Sequence, residues 1–230
     1  MAKRLLFFGP PGVGKGTHSR RLAVELGIPH VATGDMFRNA IEAGTPLGLR
    51  AAEHMTGGLL VPDEIAVAIL EQRLSDGDAR RGFLLDGFPR TLPQAEMLER
   101  RLAADGHALD AVVVLEAPEE LLVGRLLDRM TCSACGASYN RSTRPPLEAG
   151  VCDTCQAPLV ARNDDEVKTV RARLGAYHAK TEPVLNFFEG RGWPVHVVSS
   201  VGPFDEVYER VKRAALAPSA PRASTAKGVG

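Results

Sequence analysis

Gly9-Pro10-Pro11-Gly12-Val13-Gly14-Lys15-Gly16-Thr17 has the composition of a phosphate cradle and fits the spacing G-x-x-x-x-G-K. A phosphate chain needs several N–H donors converging on one concavity. Gly9, Gly12, Gly14 and Gly16 clear side chains from that approach and permit unusual backbone angles. Lys15 adds a full positive charge, and a helix starting behind the loop adds partial charge and unpaired N–H groups. The hydroxyl that would ligate magnesium in the general motif comes one place late, at Thr17. Further along, Phe83-Leu84-Leu85 ends in Asp86 and then Gly87-Phe88-Pro89-Arg90. An acid at the carboxyl end of a buried strand can hold a magnesium ion or its water shell.

A second chemistry is written in the cysteines. Cys132-x-x-Cys135 and Cys152-x-x-Cys155 are the only cysteines and lie sixteen residues apart. Each pair can set two thiolates on one tetrahedral metal. Gly136 suits the tight turn that brings N–H groups toward sulfur. The pattern predicts structural Zn2+, with iron or cobalt possible in the same sulfur cage. Four thiolates leave no open coordination position, so the metal is expected to hold a segment with little core of its own, contributing on the order of 10 kcal/mol to its folding.

These groups need positioning elements. Leu5-Leu6-Phe7-Phe8 reads as a strand and residues 15–26 as a helix, which together give the loop its strand–turn–helix context. Residues 30–32 read as a short strand. Three helices follow, with Asp35 capping the first (to about Ala43), about 47–55 forming the second, and Asp63 capping the third (to about Leu74). Helix about 93–104, strand 111–115 and a helix from Pro118 through Met130 come next; the last would put Arg125 and Arg129 on one face, ordinarily a solvated stripe. Residues 131–161 carry no pattern. A long helix is expected from Asn163 to about Phe188, then a strand at 195–198 and a helix at about 203–216. Such alternation predicts an α/β fold, a parallel sheet flanked by helices, with a small helical insertion and a metal-binding insertion.

The 28 basic and 28 acidic residues balance, which gives no footprint for nucleic acid or a membrane surface. No apolar run is long enough to span a membrane, and the start is too short for a signal peptide, so a cytoplasmic protein is expected. From Ala217 onward the Ala, Pro, Ser and Gly content reads as a disordered tail, 217–230.

With these motifs placed, the chain resembles an adenylate kinase of the bacterial long-lid type with a metal-binding lid, over about residues 3–216. The resemblance rests on Gly9 to Thr17, Thr33-Gly34-Asp35 with Arg38, Asp86-Gly87-Phe88-Pro89-Arg90 with Gln94, and Arg162 with Asp164-Asp165 and Arg173. In that family Gly16-Thr17 is the usual form of the loop, whereas His18 stands where glutamine is common. The resemblance implies a P-loop NTPase-type core (1–31, 62–127 and 166–216), an AMP-binding insertion (32–61) and a lid (128–165). It implies reversible, Mg2+-dependent phosphoryl transfer from ATP to AMP, giving two ADP, by a monomer. Gly12, Val13, Gly14, Lys15, Gly16, Thr17, Arg129, Ser138, Tyr139 and the main chain near Val201 would hold ATP. Thr33, Arg38, Leu59, Leu60, Val61, Gly87, Phe88, Pro89, Arg90, Gln94, Arg162 and Arg173 would hold AMP, with Gln94 reading the adenine edge. Lys15, Arg90, Arg125, Arg129, Arg162 and Arg173 would carry the transfer, and Asp86 would hold magnesium through water.

Other readings compete. A kinase for UMP, CMP or GMP would share the phosphate machinery. A zinc-ribbon nucleic-acid module would explain the cysteines but leave the P-loop unused. A GTPase would need a guanine signature that the chain lacks. The histidines other than His18 read as structural or surface residues, and Trp193 as packing.

Overall fold

The computed structural model describes residues 3–162 and 164–218. The chain runs β1 (Arg4–Phe8), α1 (Lys15–Leu26), β2 (His30–Ala32), α2 (Thr33–Glu42), α3 (Pro46–Thr56), α4 (Asp63–Leu74), β3 (Phe83–Asp86), α5 (Leu92–Ala104), β4 (Ala111–Glu116) and α6 (Glu119–Leu127). It continues with β5 (Arg129–Cys132), β6 (Ser138–Asn140), β7 (Leu159–Ala161), α7 (Val167–Ala176), a π-helical turn (Tyr177–Thr181), α8 (Val184–Gly190), β8 (Val195–Ser199) and α9 (Phe204–Ala215).

Five strands form a wholly parallel sheet in the order β2-β3-β1-β4-β8. The apolar runs of β1, β3 and β4 are central strands buried on both faces, which is why they lack alternation. Side chains still alternate between two cores. Leu6, Phe8, Leu85, Val112 and Val114 pack with α4, α5 and α8. Leu5, Phe7, Leu84, Val113 and Leu115 pack with α1, α6, α7 and α9. Chain connections diverge on either side of β1, and such a switch point opens a crevice at the carboxyl ends of the strands. Gly9 leaves β1 at φ 133°, and a Cβ there would lie 2.3 Å from the Leu115 carbonyl oxygen. Only glycine lets the loop turn this close to β4. Register sets Asp86 opposite both Phe7 and Ala32, so the end of β3 is level with the start of the loop. Trp193 stacks on Phe188 at 5.1 Å and serves packing.

Tertiary pairing overrides four local expectations. Asp35 lies inside the first turn of α2, whose N-cap is Ala32, and its carboxylate is drawn to arginines. Asp63 follows the N-cap Pro62, and its carboxylate accepts from Thr91 and Gln94. The helix after Pro118 stops at Leu127, because Arg129, Met130 and Thr131 are captured as a strand opposite Asn140, Tyr139 and Ser138. Arg125 and Arg129 therefore do not share a helical face. The helix expected from Asn163 starts at Val167, since Asp164 and Asp165 bind arginines; Asn163 itself lies outside the described residues. That helix is also broken by the π-helical turn ahead of Pro183, which has no N–H to continue the ladder.

Residues 131–161, patternless in sequence, contribute to an antiparallel sheet in the order β6-β5-β7. Its apolar cluster is small, with Cys132, Tyr139 and Cys152 at the centre. The tail from residue 219 lies outside the described residues. Among the described residues no helix is long and apolar enough to cross a membrane.

Candidate active site

The helix α1 opens on Lys15, with Gly14 in the left-handed conformation as its N-cap. The Lys15 ammonium donates to the carbonyls of Gly9 (2.6 Å) and Pro10 (2.8 Å). Burial pushes its pKa down from 10.5 to about 7; Asp86 opposes the shift, while Arg90, Arg173 and Arg129 reinforce it. A Cβ on Gly16 would lie 3.2 Å from Asp86 Oδ2, so the glycine after Lys15 leaves room for the acid at the end of β3. Burial alone would raise the Asp86 carboxyl, but His30, Lys15 and Arg90 outweigh it and hold it below its ordinary value. An ionised carboxylate with space beside the loop fits a hydrated magnesium ion.

Behind Asp86 stands a pair that the sequence did not reveal. Ser19 Oγ lies 2.8 Å from His30 Nε2 and donates to Asp86 Oδ2 at 3.4 Å. His30 Nε2 is 3.6 Å from the same oxygen. His30 is thus part of the site's support rather than a scattered structural residue. Ser19 is one helical turn beyond Lys15, which is the one local signal for it.

On the other side of the crevice, Thr33 Oγ1 donates to the Gly87 carbonyl (2.8 Å), as does Arg90 Nε (2.7 Å). Gln94 is only 2% exposed. Its Oε1 accepts from the Arg90 N–H (2.8 Å), and its Nε2 donates to Asp63 Oδ1 (2.7 Å). One amide hydrogen and one lone pair remain for a ligand. Arg38 is paired with Asp35. Leu59, Leu60, Val61, Phe88 and Pro89 line the same crevice. Burial, with help from Arg173, pushes Arg90 down to about 10.

A third group comes from the chain around the small sheet. Arg129 places Nε 2.7 Å and Nη2 2.5 Å from the two oxygens of Asp165, a forked pair. Arg173 donates to Asp165 Oδ1 (2.9 Å) and lies 3.1 Å from Asp164 Oδ2. Arg162 donates to Asp164 Oδ1 at 3.2 Å. Burial first, then Arg129 and Arg38, push Arg162 down to about 9. The two aspartates anchor three arginines from β5, the segment after β7, and α7. Arg125 is not in this cluster; it donates to Ser200 Oγ (3.0 Å) and the Ser200 carbonyl (2.9 Å) at the end of β8. The cavity wall there is formed by Ser200, Gly202, Pro203 and Phe204, whereas Val201 turns its carbonyl to Arg210. His18 stacks on Phe204 at 4.7 Å; burial and four surrounding arginines push it down to about 4, so it is neutral at pH 7. Ser138 and Tyr139 line the cavity, and the Tyr139 hydroxyl is committed to Cys152.

The four cysteine sulfurs lie within 4.8 Å of one another. Cys132 and Cys155 sulfurs are 3.4 Å apart, and Cys135 and Cys152 sulfurs 3.6 Å. Tetrahedral Zn–S bonds of about 2.3 Å require S···S distances of about 3.8 Å, so the cage fits. Backbone N–H groups of Ala134 and Cys135 point at Cys132 Sγ. A hydrogen bond from Tyr139 helps hold Cys152 down at about 6. The Ala137 N–H favours a Cys135 thiolate, but desolvation and the three neighbouring sulfurs push it up to about 12. Four sulfurs this close can all be thiolates only with a cation among them.

Lys15, Asp86, Arg38, Arg90, Arg129, Arg162 and Arg173 all line one cavity of about 660 Å³. Excess positive charge around a P-loop, with no evident nucleophile, suits the transfer of a phosphoryl group between two bound anions. A sequence model of the adenylate kinase family matches residues 7–193. The adenylate kinase of Carboxydothermus hydrogenoformans is 46% identical over 211 residues, 92% of this chain and 98% of the relative. That of Moorella thermoacetica is 49% identical over 189 residues, 82% of this chain and 87% of the relative. That of Symbiobacterium thermophilum is 45% identical over 213 residues, 93% and 98%. Cavity, cations and kinship agree, and the chain belongs to the adenylate kinase family, whose members are phosphotransferases.

Proposed function

We propose that this chain catalyses reversible transfer of the terminal phosphoryl group of Mg2+-ATP to AMP, giving two ADP. The observation that carries the reading is the single cavity in which the P-loop lysine faces arginines from both insertions.

The loop Gly12 to Thr17 would hold the ATP phosphates, with Lys15 exchanging the Gly9 and Pro10 carbonyls for phosphate oxygens. Ser138, Tyr139 and the chain near Val201 would border the ATP base, and Arg125, seated on Ser200, would close on the phosphates from the helix that leads into the lid. AMP would lie between Thr33, Arg38, residues 59–61, residues 87–90 and Gln94. The free amide hydrogen and lone pair of Gln94 match the donor–acceptor edge of adenine. Arg90, Arg129, Arg162 and Arg173 would surround the moving phosphoryl group and stabilise its spreading charge. The AMP phosphate is already ionised, so no general base is needed. Magnesium bound with ATP offsets phosphate charge, and Asp86 would hold its water shell. Residues 32–61 and 128–165 would close over the nucleotides and exclude water, which competes with AMP as acceptor.

Cys132, Cys135, Cys152 and Cys155 would hold Zn2+ in a structural role; iron or cobalt suit the same sulfur set. The balanced charge supports action without nucleic-acid or membrane partners, and the resemblance to compact kinases with self-contained lids supports a monomer acting in the cytoplasm. The test is product formation from ATP and magnesium with AMP, GMP, CMP and UMP offered separately. Fast ADP formation with AMP alone is expected. Equal transfer to another monophosphate would overturn the role of Gln94, and ATP loss without an acceptor would overturn the reaction.

A further inference from the structure

Arg20 stands on α1 outside the groups discussed so far, yet its side chain reaches two other parts of the molecule. Nη1 donates to the carbonyl of Cys135 at 3.1 Å. Nη2 donates to Asp35 Oδ2 at 2.9 Å. The other oxygen of Asp35 is paired with Arg38. The residue after Cys135, Gly136, turns the chain at φ 69°, a conformation that favours glycine, and lies beside the guanidinium, where a Cβ would sit in ordinary contact 3.5 Å from Nη1. One planar fork therefore links the turn that carries two metal-ligand cysteines to the first turn of α2, and through it to an arginine of the cavity.

We infer that Arg20 is a positioning residue that ties the seating of the metal-binding lobe to the orientation of Arg38. This rests on the reading of Arg38 as an AMP-phosphate contact. The argument is the geometry of a shared carboxylate. With Arg20 on Oδ2, Asp35 meets Arg38 through Oδ1, which leaves the rest of the Arg38 fork available for a phosphate. With Arg20 gone, both oxygens fall to Arg38, and a bidentate carboxylate competes directly with the incoming anion. The Cys135 carbonyl fixes Arg20 only when the lobe is down against α1. Lobe closure over the donor nucleotide thus favours an Arg38 ready for the acceptor.

The test is calorimetric titration of the metal-loaded protein with AMP, with and without saturating β,γ-imido-ATP. In the wild type the analogue is expected to tighten AMP binding. In Arg20→Gln that tightening should shrink by about two- to five-fold, the scale of a partly exposed charge pair. AMP affinity without the analogue should stay within about two-fold. Arg20→Lys, which keeps the charge but not the fork, should fall between the two, and it carries the test if Arg20→Gln does not fold. In an Asp35→Asn background, Arg20→Gln should add nothing. Unchanged tightening in Arg20→Gln, or an equal loss of AMP affinity with and without the analogue, would overturn the inference alone. A wild type that binds no AMP would overturn the functional reading as well.

Discussion

Lys15 offers a sharp test of how burial and charge cooperate in this site. Burial holds its pKa at about 7 rather than 10.5, with its ammonium on two backbone carbonyls. A polyphosphate beside it favours the charged form and returns the pKa well above 9. The free protein then binds fewer protons than the complex at every pH between these values, so nucleotide binding takes up a proton and affinity falls as pH rises. With a free value of about 7, the protonated fraction at pH 8 is about one in eleven, and about 0.9 proton is taken up per nucleotide. Between pH 7.5 and 9 the dissociation constant should rise about 25-fold, roughly 1.9 kcal/mol. The ligand's own terminal-phosphate titration is measured in the absence of protein and subtracted. The assay is calorimetric titration of β,γ-imido-ATP in two buffers of unlike ionisation enthalpy, repeated at each pH. Lys15→Arg, charged throughout, should give a flat profile even if it binds more weakly. A wild-type affinity that is flat from pH 7.5 to 9, with no proton uptake, would refute the claim that burial depresses this lysine.

Removing the metal with a chelator, or Cys132→Ser, should lower the thermal midpoint before it lowers activity, because the small sheet has only a minor apolar cluster behind it; an unchanged midpoint after verified metal loss would count against a structural site. Gln94→Ala should raise KM for AMP by about tenfold or more and leave ATP nearly untouched, since it deletes a buried amide, strands the Arg90 N–H and leaves Asp63 with Thr91 alone of its two side-chain donors; equal losses for both nucleotides would remove its specific role. Ser19→Ala should raise the magnesium concentration needed for half-maximal rate, on the scale of one hydrogen bond, about 1 kcal/mol, with little change in melting. A wild-type magnesium dependence in that variant would show that Asp86 needs no support from Ser19.

Local signals made the core legible. The glycines of the P-loop, the apolar runs of β1, β3 and β4, and the acid ending β3 each announce themselves within a few residues. The helix boundaries at Lys15, Leu26 and Leu74 follow from the same local cues. What stayed hidden depends on partners far away in the chain. Arg129 leaves the expected helix because Asn140 pairs with it. Asp164 and Asp165 look like helix-starting acids until Arg129 and Arg173 claim them. Ser19 and His30 make sense only once β2 lies beside β3, and Asp63 only once α5 brings Gln94 to it. The strands of the lobe carry little apolar alternation, since sulfur geometry organises them more than burial does.

Asp164 and Asp165 carry one more meaning. They are the anions that Arg129, Arg162 and Arg173 hold in this structure. If these arginines meet phosphate as proposed, an entering phosphate oxygen competes with a carboxylate wherever the two need the same N–H, and a departing one is replaced by it. Internal substitutes of this kind weaken equilibrium capture and ease departure, so on the proposed reading the same arginines without the aspartates would grip a diphosphate longer and turn over less often. Residence time, and not only orientation, would then depend on those two side chains.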